Sequence, residues 1–248
     1  MILNRISGTS GLNLGWGRLL PQEDGEVFLA PFLEYGRAGY DSYLDNGVHG
    51  SGTNQHFGLG FLARKIMNNG VHYEGSVRFG RMRSDYEGLS NRYDSNFNYM
   101  AFHAGIGKRI ALGEKRSIDC YAKLFYTHQN GDNADLRDSP LVDFGSINFE
   151  AMNSFRTRLG FRYDYQERED SIFYAGLAWD YEFKGDACSS YQGHSILVPS
   201  LKGSTGMLEL GWKRPHTEEN RLAVDVTLMG FAGKQRGVVA NCMLDWAF

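Results

Sequence analysis

The feature that most constrains the fold of this chain is an alternation of apolar residues with other residues that continues to its last position. Every second residue back from the end is apolar, as shown by Phe248, Trp246, Leu244, Cys242, Ala240 and Val238. The interleaved positions include Asn241 and Asp245. A period of two residues predicts a β-strand with one apolar and one mixed face. A strand that ends on an aromatic residue at the edge of an apolar band favours a membrane β-barrel.

The same alternation recurs along the chain. From 173 to 184, for example, the apolar series that begins at Phe173 and ends at Phe183 alternates with a series that contains Asp180 and Glu182. Eleven such segments are predicted, at 8–19, 26–38, 55–67, 71–83, 97–110, 117–129, 153–166, 171–184, 199–213, 221–232 and 236–248. The predicted fold class is therefore all-β, an antiparallel up-and-down transmembrane barrel.

The composition agrees with one β-rich domain over residues 1–248. The chain has 31 glycines and 14% aromatic residues but only 5 prolines, which suits many strands and turns. A net charge of −3 gives no indication of a nucleic-acid partner. Three cysteines, Cys120, Cys188 and Cys242, are an odd number and favour small apolar side chains over a disulfide framework.

The lengths of the connections predict the orientation of the strands. The breaks at 21–25, 68–70, 112–116, 167–170 and 215–220 are short, whereas those at 40–54, 84–96, 130–152 and 185–198 are longer. Outer-membrane barrels have short periplasmic turns and long external loops. The last strand then runs towards the periplasm, and so does segment 8–19. An even-stranded barrel needs an outward strand before it, and Met1–Ser7 is too short to span. Either the first strand is shortened or residues 1–19 are organised differently, and we expect twelve strands in the complete barrel.

The polar face of the predicted strands would line a hydrated lumen. It carries charges of both signs, and its candidate lumen-lining residues are Glu34, Arg64, Glu74, Arg78, Lys123, Arg156, Arg158, Arg162, Asp180, Glu182, Glu209 and Asp225. Acidic and basic side chains that face inward can pair with each other across water. The apolar face, rich in Phe, Tyr, Trp and Leu, would contact outer-membrane lipid.

Motifs that could support catalysis or cofactor binding are weak. Gly58, Gly60 and Ala63 match a dinucleotide fingerprint, but they alternate within a predicted strand instead of opening a helix. His128 falls on the apolar register near a strand end, where it could be interfacial or catalytic, and no serine with an evident partner accompanies it. The acidic loop 130–138 lacks the ligand order of a calcium-binding EF-hand and is expected to be a solvated loop. We therefore expect no cofactor, no metal and no enzymatic activity.

Several strings resemble the autotransporter β-domain. They are Leu33-Glu34-Tyr35-Gly36, Tyr73-Glu74-Gly75-Ser76-Val77-Arg78, Asn153-Ser154-Phe155-Arg156, Tyr181-Glu182-Phe183-Lys184-Gly185, the segment 199–211, the turn 233–237 and the terminal Trp246-Ala247-Phe248. The resemblance implies a 12-stranded translocator of type V secretion in the bacterial outer membrane, covalently linked to an N-terminal passenger. It also implies that Leu244, Trp246 and Phe248 form a C-terminal signal for the barrel-assembly machinery.

Three functions remain to be distinguished. The leading hypothesis is a translocator and membrane anchor that displays a passenger at the cell surface. The alternative is a small porin-like or loop-displaying outer-membrane protein without a passenger. A third, an outer-membrane hydrolase, would depend on His128.

Overall fold

The structure is a computed structural model that describes residues 3–43, 49–88, 92–137, 145–196, 200–217 and 220–247. Its strands are β1 (Leu3–Gly15), β2 (Arg18–Gln22), β3 (Gly25–Tyr43), β4 (His49–Met67), β5 (Val71–Glu87), β6 (Arg92–Ala111), β7 (Arg116–Gln129), β8 (Asp132–Asp135), β9 (Ser146–Phe149), β10 (Met152–Arg168), β11 (Ser171–Glu182), β12 (Ser189–Tyr191), β13 (His194–Ile196), β14 (Gly203–Arg214), β15 (Leu222–Gly233) and β16 (Gly237–Trp246). No helix among the described residues is long and apolar enough to cross a membrane.

The long strands form one antiparallel sheet in the order β1-β3-β4-β5-β6-β7-β10-β11-β14-β15-β16, with β2 also paired to β3. Each strand of the path pairs with its neighbour in sequence once the short strands are set aside. The sheet curls into a half-barrel of 11–12 strands. The all-β, antiparallel, up-and-down fold class predicted from the alternation is confirmed.

Strands β1 and β2 are two parts of one strand. Gly15 pairs with Phe32 and Arg18 pairs with Leu29, so the register is the same on both sides of the interruption. Trp16 lies opposite Pro31, which has no N–H to donate, and only the bond from Trp16 N to Pro31 O remains at 3.1 Å. The strand count is therefore eleven or twelve, depending on whether this interruption is counted.

Two of the predicted long loops are wrong. Strand β3 continues to Tyr43, and β4 begins at His49. Similarly, β5 continues to Glu87, and β6 begins at Arg92. Most of the predicted breaks at 40–54 and 84–96 is therefore strand. The first strand also differs from the predicted segment 8–19, because β1 and β2 together extend from Leu3 to Gln22. The ends of the other strands lie within a few residues of the predicted ones.

The two faces of the sheet differ in polarity. Large apolar side chains that are exposed alternate along each strand and share one face, which we call the outer face; they include Leu33, Tyr35, Phe57, Leu59, Phe79, Phe102, Ile106, Leu124, Leu159, Phe161, Phe173, Leu177, Trp179, Leu208, Leu210 and Leu228. The opposite, inner face carries charges and glycines. An apolar surface of this extent marks a site of contact with other molecules. In a sheet of spanning length, that surface faces lipid.

Glycines on the inner face make room for aromatic rings from other strands. Tyr99 of β6 lies over Gly80 of β5 and Gly58 of β4, where a Cβ atom would be 2.4 Å from its hydroxyl oxygen in each case. Tyr174 covers Gly211 in the same way, at 2.2 Å from its Cζ atom. Such a ring shields backbone that a glycine leaves bare. This arrangement explains why glycine and tyrosine are both frequent in this chain.

The half-barrel has two free edges. Within the described residues, β1 pairs only with β3, and β16 pairs only with β15. Every residue of β16 is exposed, including Leu244 and Trp246. Since eleven strands alternate in direction, the two edge strands run the same way. One strand that runs the other way would pair antiparallel with both of them.

The two longest loops fold together into a second, small sheet with the order β13-β12-β9-β8. It continues from the outer end of β6, where Asn96 N donates to Asp132 Oδ2 at 2.6 Å and Arg92 and Arg137 form a backbone bridge. Phe149 of β9 packs against Tyr93 and Phe97, with ring centroids 5.6 and 5.8 Å apart. Loop 130–138, expected to be solvated, is thus partly a strand, although Asp138 lies outside the described residues.

Replacing Phe149 with alanine is expected to loosen this small sheet. Each of the two aromatic contacts contributes about 0.5–1.5 kcal/mol beyond its buried area, so the open population should rise about tenfold. Protease added to the folded protein should then cleave loop 130–151 about ten times faster. Phe231→Ala, at the outer end of β15, serves as the control. Equal rates for both variants would contradict this role for Phe149.

Candidate functional site

All twelve residues predicted to line a lumen lie on the inner face of the sheet. The strand registers connect Arg64, Glu74, Gly105, Lys123, Arg158 and Asp180 in a single row across six strands, from β4 to β11. The row contains two acidic and three basic side chains, and Lys123 and Arg158 are neighbours within it. The inner face is thus a continuous band of mixed charge, and it contains four main clusters.

Glu34 of β3 anchors the first cluster. Its side chain is buried, and Oε1 accepts a hydrogen bond from the Tyr99 hydroxyl at 2.5 Å. Its Oε2 atom lies 3.3 Å from Nη1 of Arg78. The cluster connects β3, β5 and β6 and so holds the curvature of the sheet towards the inner face.

Glu74 of β5 anchors the second cluster. Its Oε1 atom lies 2.5 Å from Nζ of Lys123 and 3.3 Å from Nε2 of His103. Arg64 lies directly opposite Glu74 in the register, but its Nε atom is buried without a hydrogen-bond partner among the described residues. The carboxylate therefore engages the cations on the β6–β7 side.

Asp180 of β11 anchors the third cluster and is 1% exposed. Arg158 binds it with two parallel hydrogen bonds, Nε to Oδ1 at 2.7 Å and Nη2 to Oδ2 at 2.9 Å. Nε of Arg156 is 4.0 Å from Oδ2. Both guanidinium groups also lie over the ring of Phe125, at 4.8 and 5.6 Å. Charge-assisted hydrogen bonds of this bidentate kind are roughly twice as strong as hydrogen bonds between neutral groups.

Arg162 of β10 connects the fourth cluster. Its Nε atom is 3.0 Å from Oδ1 of Asp164, and Arg109 Nη2 donates to Oδ2 of the same carboxylate at 2.6 Å. Nη1 of Arg162 reaches to 3.9 Å from Glu209 across Gly176. Arg162 also lies over the ring of Tyr174, at 4.8 Å.

Two of the predicted residues have more local partners. The Tyr174 hydroxyl contacts Oδ1 of Asp225 and Oγ1 of Thr227, each at 2.5 Å. Glu182, at the outer end of β11, accepts hydrogen bonds from the Ser154 hydroxyl at 2.7 Å and from Phe155 N at 2.8 Å. Glu182 therefore connects the outer ends of β10 and β11.

The predicted C-terminal signal is only partly described. Leu244 and Trp246 lie on the outer face of β16, opposite Val224 and Leu222, and Phe248 lies outside the described residues. His128, the candidate catalytic residue, is also on the outer face. Its Nδ1 atom and the Tyr126 hydroxyl both contact Oδ1 of Asn153, at 3.0 and 2.8 Å. This polar group lies at the outer end of β7, and an interfacial role for His128 stays a prediction.

Several members of the clusters were not among the predicted residues. Tyr99, Tyr174, His103, Arg109 and Asp164 all fall on the inner register, so the alternation could have placed them there. The alternation cannot predict the hydrogen bonds of the two tyrosines. A tyrosine side chain is mostly apolar, and the pattern does not show that its hydroxyl group contacts a carboxylate.

An antiparallel half-barrel with an apolar outer face and a charged inner face is the architecture of an outer-membrane β-barrel protein. A profile of the family described as autotransporter beta-domain matches residues 6–226. The chain belongs to this family, which confirms the resemblance noted in the sequence. The domain is thereby a type V secretion translocator barrel of the bacterial outer membrane. Domains of this family are transport barrels.

Solved structures of autotransporter domains share the fold. The β-domain of BrkA from Bordetella has a TM-score of 0.74 at 18% identity, over 99% of this chain and 95% of that one. The transport unit of AIDA-I from Escherichia coli has a TM-score of 0.77 at 14% identity, over 100% and 87%. The translocator domain of NalP from Neisseria meningitidis has a TM-score of 0.61 at 11% identity, over 100% and 87%. No match was found among curated protein sequences.

Proposed function

We propose that this domain carries a covalently linked N-terminal passenger to the cell surface along its inner face and anchors it there. The observation that carries the proposal is the row of acidic and basic side chains from Arg64 to Asp180, on the face opposite the lipid-facing side chains. A polypeptide has many backbone polar groups, and each costs free energy if it loses water without gaining a partner. A charged, hydrated wall avoids that cost for an extended chain or a polar helix.

The proposal includes closure of the half-barrel. An open edge of backbone N–H and C=O groups costs several kcal/mol per unsatisfied group in lipid. A twelfth strand that runs outward between β1 and β16 would satisfy both edges at once. With it, the clusters on the inner face would surround a lumen.

Surface display tests the function directly. An epitope-tagged passenger, a linker and one outward-running spanning strand are fused before residue 1, and intact cells are stained with antibody. The epitope should be accessible outside and removable by added protease. A matched fusion that lacks β14 to β16 should leave the epitope inside. If the complete fusion folds, as judged by altered gel migration before boiling, but shows no surface epitope, the translocator proposal fails. Bilayer conductance that persists with the linker in place would favour the porin-like alternative instead.

We also propose that Leu244, Trp246 and Phe248 are recognised by the barrel-assembly machinery. Phe248→Ala is expected to reduce the heat-modifiable, membrane-inserted fraction several-fold, because the terminal aromatic group would be lost. Phe248→Tyr keeps that group and should assemble like the parent. The inserted fraction is measured on gels of outer-membrane extracts with and without boiling. Equal assembly of all three forms would exclude recognition of the terminal residue.

A further inference from the structure

The outer face of β3 to β6 changes from apolar to polar at one level. Tyr35, Phe57 and Phe79 are the last large apolar side chains, and they are 48%, 56% and 47% exposed. Beyond them, the next outward positions on β3, β4 and β5 are Arg37, Gln55 and Arg81. Since the two longest loops, between β7 and β10 and between β11 and β14, are at this end, the change marks the boundary of the outer leaflet.

The register gathers arginines at this boundary. Arg37, Gln55 and Arg83 lie in one row across three neighbouring strands, and Arg81 is in the adjacent row, opposite Phe57. Neighbouring strands are about 4.8 Å apart, so the Cα atoms of Arg37 and Arg83 are separated by about 10 Å. Three guanidinium groups thus share a small patch of the outer face with the Gln55 amide.

Two of these arginines have no partner among the residues that the structure describes. Arg83 is neutralised by Asp85, with Nε and Nη2 both 3.0 Å from Oδ1. Arg37 and Arg81 are exposed, and within the described part of the chain neither makes a hydrogen bond or an ion pair. The patch therefore carries a local excess of positive charge.

Strands β7, β10 and β11 do not share this excess on their outer face. At the corresponding ends of β7, β10 and β11, the outer-face residues are His128, Asn153 and Tyr181, which include no arginine or lysine. A general snorkelling of basic side chains around the whole rim would not produce this asymmetry.

We propose that Arg37 and Arg81 form a binding site for a phosphorylated lipid headgroup of the outer leaflet. Guanidinium groups bind phosphate through paired, charge-assisted hydrogen bonds. The acyl chains of the same lipid would lie along the apolar surface formed by Tyr35, Phe57 and Phe79, directly below. The positive charge thus lies at the level of a lipid headgroup, and the apolar surface lies at the level of its acyl chains. The Gln55 amide can add a neutral hydrogen bond to the headgroup.

Native mass spectrometry of the folded 248-residue chain in detergent tests this proposal, with lipid A as the probe. Arg37→Gln/Arg81→Gln is expected to weaken retention of lipid A about tenfold, which corresponds to about 1.4 kcal/mol. Arg168→Gln removes the same charge from an exposed position at the opposite end of the sheet and should bind like the parent. Each single variant should retain lipid A about threefold more weakly than the parent, which provides a second measurement if the double variant does not fold.

Two further arms separate the source of the binding. Lipid A without its phosphates should bind the parent about tenfold more weakly, and inorganic phosphate at equal concentration should not displace intact lipid A. The proposal is overturned if the double variant retains lipid A as the parent does, or if the dephosphorylated lipid binds equally well. Displacement by inorganic phosphate would likewise overturn the assignment to a lipid.

Discussion

Replacing Asp180 with alanine is expected to lower the free energy of unfolding by about 3 kcal/mol, the largest effect of any single substitution on the inner face. Removing one partner of a buried ion pair leaves the other charge uncompensated, at a cost of roughly 3–5 kcal/mol. Asp180 is 1% exposed and neutralises Arg158 through two hydrogen bonds, with Arg156 nearby. We take the lower end of the range because a hydrated lumen would screen part of the charge. Urea unfolding in micelles, followed by tryptophan fluorescence, measures the loss.

Two variants control this result. Asp186→Ala removes a carboxylate from the exposed outer loop, where hydrogen bonds from Lys202 and Ser200 hold its pKa below the ordinary value. Because both partners of that pair are in water, the unfolding midpoint should not change measurably. Arg158→Ala/Asp180→Ala should lose less than the sum of the single variants, since neither charge is then left alone. If Asp180→Ala and Asp186→Ala had equal effects, the buried pair would have no special role.

The second large effect is expected at Gly80, where alanine should destabilise the barrel by about 2 kcal/mol. A Cβ atom there would lie 2.4 Å from the Phe57 carbonyl oxygen and 2.4 Å from the Tyr99 hydroxyl. The strand or the ring must move, and overpacking of this kind costs about 1–3 kcal/mol. Movement of Tyr99 would also break its 2.5 Å hydrogen bond to Glu34. The same unfolding experiment reports the change.

A glycine with free space provides the comparison for Gly80. At Gly206, on the outer face of β14, the nearest atom to an added Cβ is the Ala232 carbonyl oxygen at 3.7 Å. Gly206→Ala should therefore leave the midpoint unchanged or raise it slightly. Tyr99→Phe separates the loss of the hydrogen bond from the clash, and it should lower the free energy of unfolding by about 1.5 kcal/mol, because the acceptor is a carboxylate. A Gly80→Ala variant as stable as Gly206→Ala would contradict the packing of Tyr99 over Gly80.

The alternation predicts the strands well only where one face is apolar. Above the level of Tyr35 and Phe57, both faces of β3 to β6 are polar or mixed, and the period of two residues disappears from the sequence. The predicted loops at 40–54 and 84–96 were therefore too long. The small sheet was missed for the same reason: β8, β9, β12 and β13 have three or four residues each, which is too few to show a period.

What the sequence alone determined is the class of fold and the face on which each side chain lies. In a strand, successive side chains point to opposite faces, so one apolar series assigns every other position. That rule placed all twelve predicted charged residues on the inner face. It could not say which acid meets which base, because partners depend on the register between strands and on the curvature of the sheet.

Only the tertiary structure decided these partners. Arg64 is opposite Glu74 in the register, yet the carboxylate binds Lys123 and His103. Glu34 is bound by Tyr99, which lies three strands away and reaches it only over the bare backbone of Gly58 and Gly80. The length of a side chain and the absence of a Cβ atom two strands away decide such a contact. Such a contact between distant strands can be identified only from the curved sheet of the half-barrel.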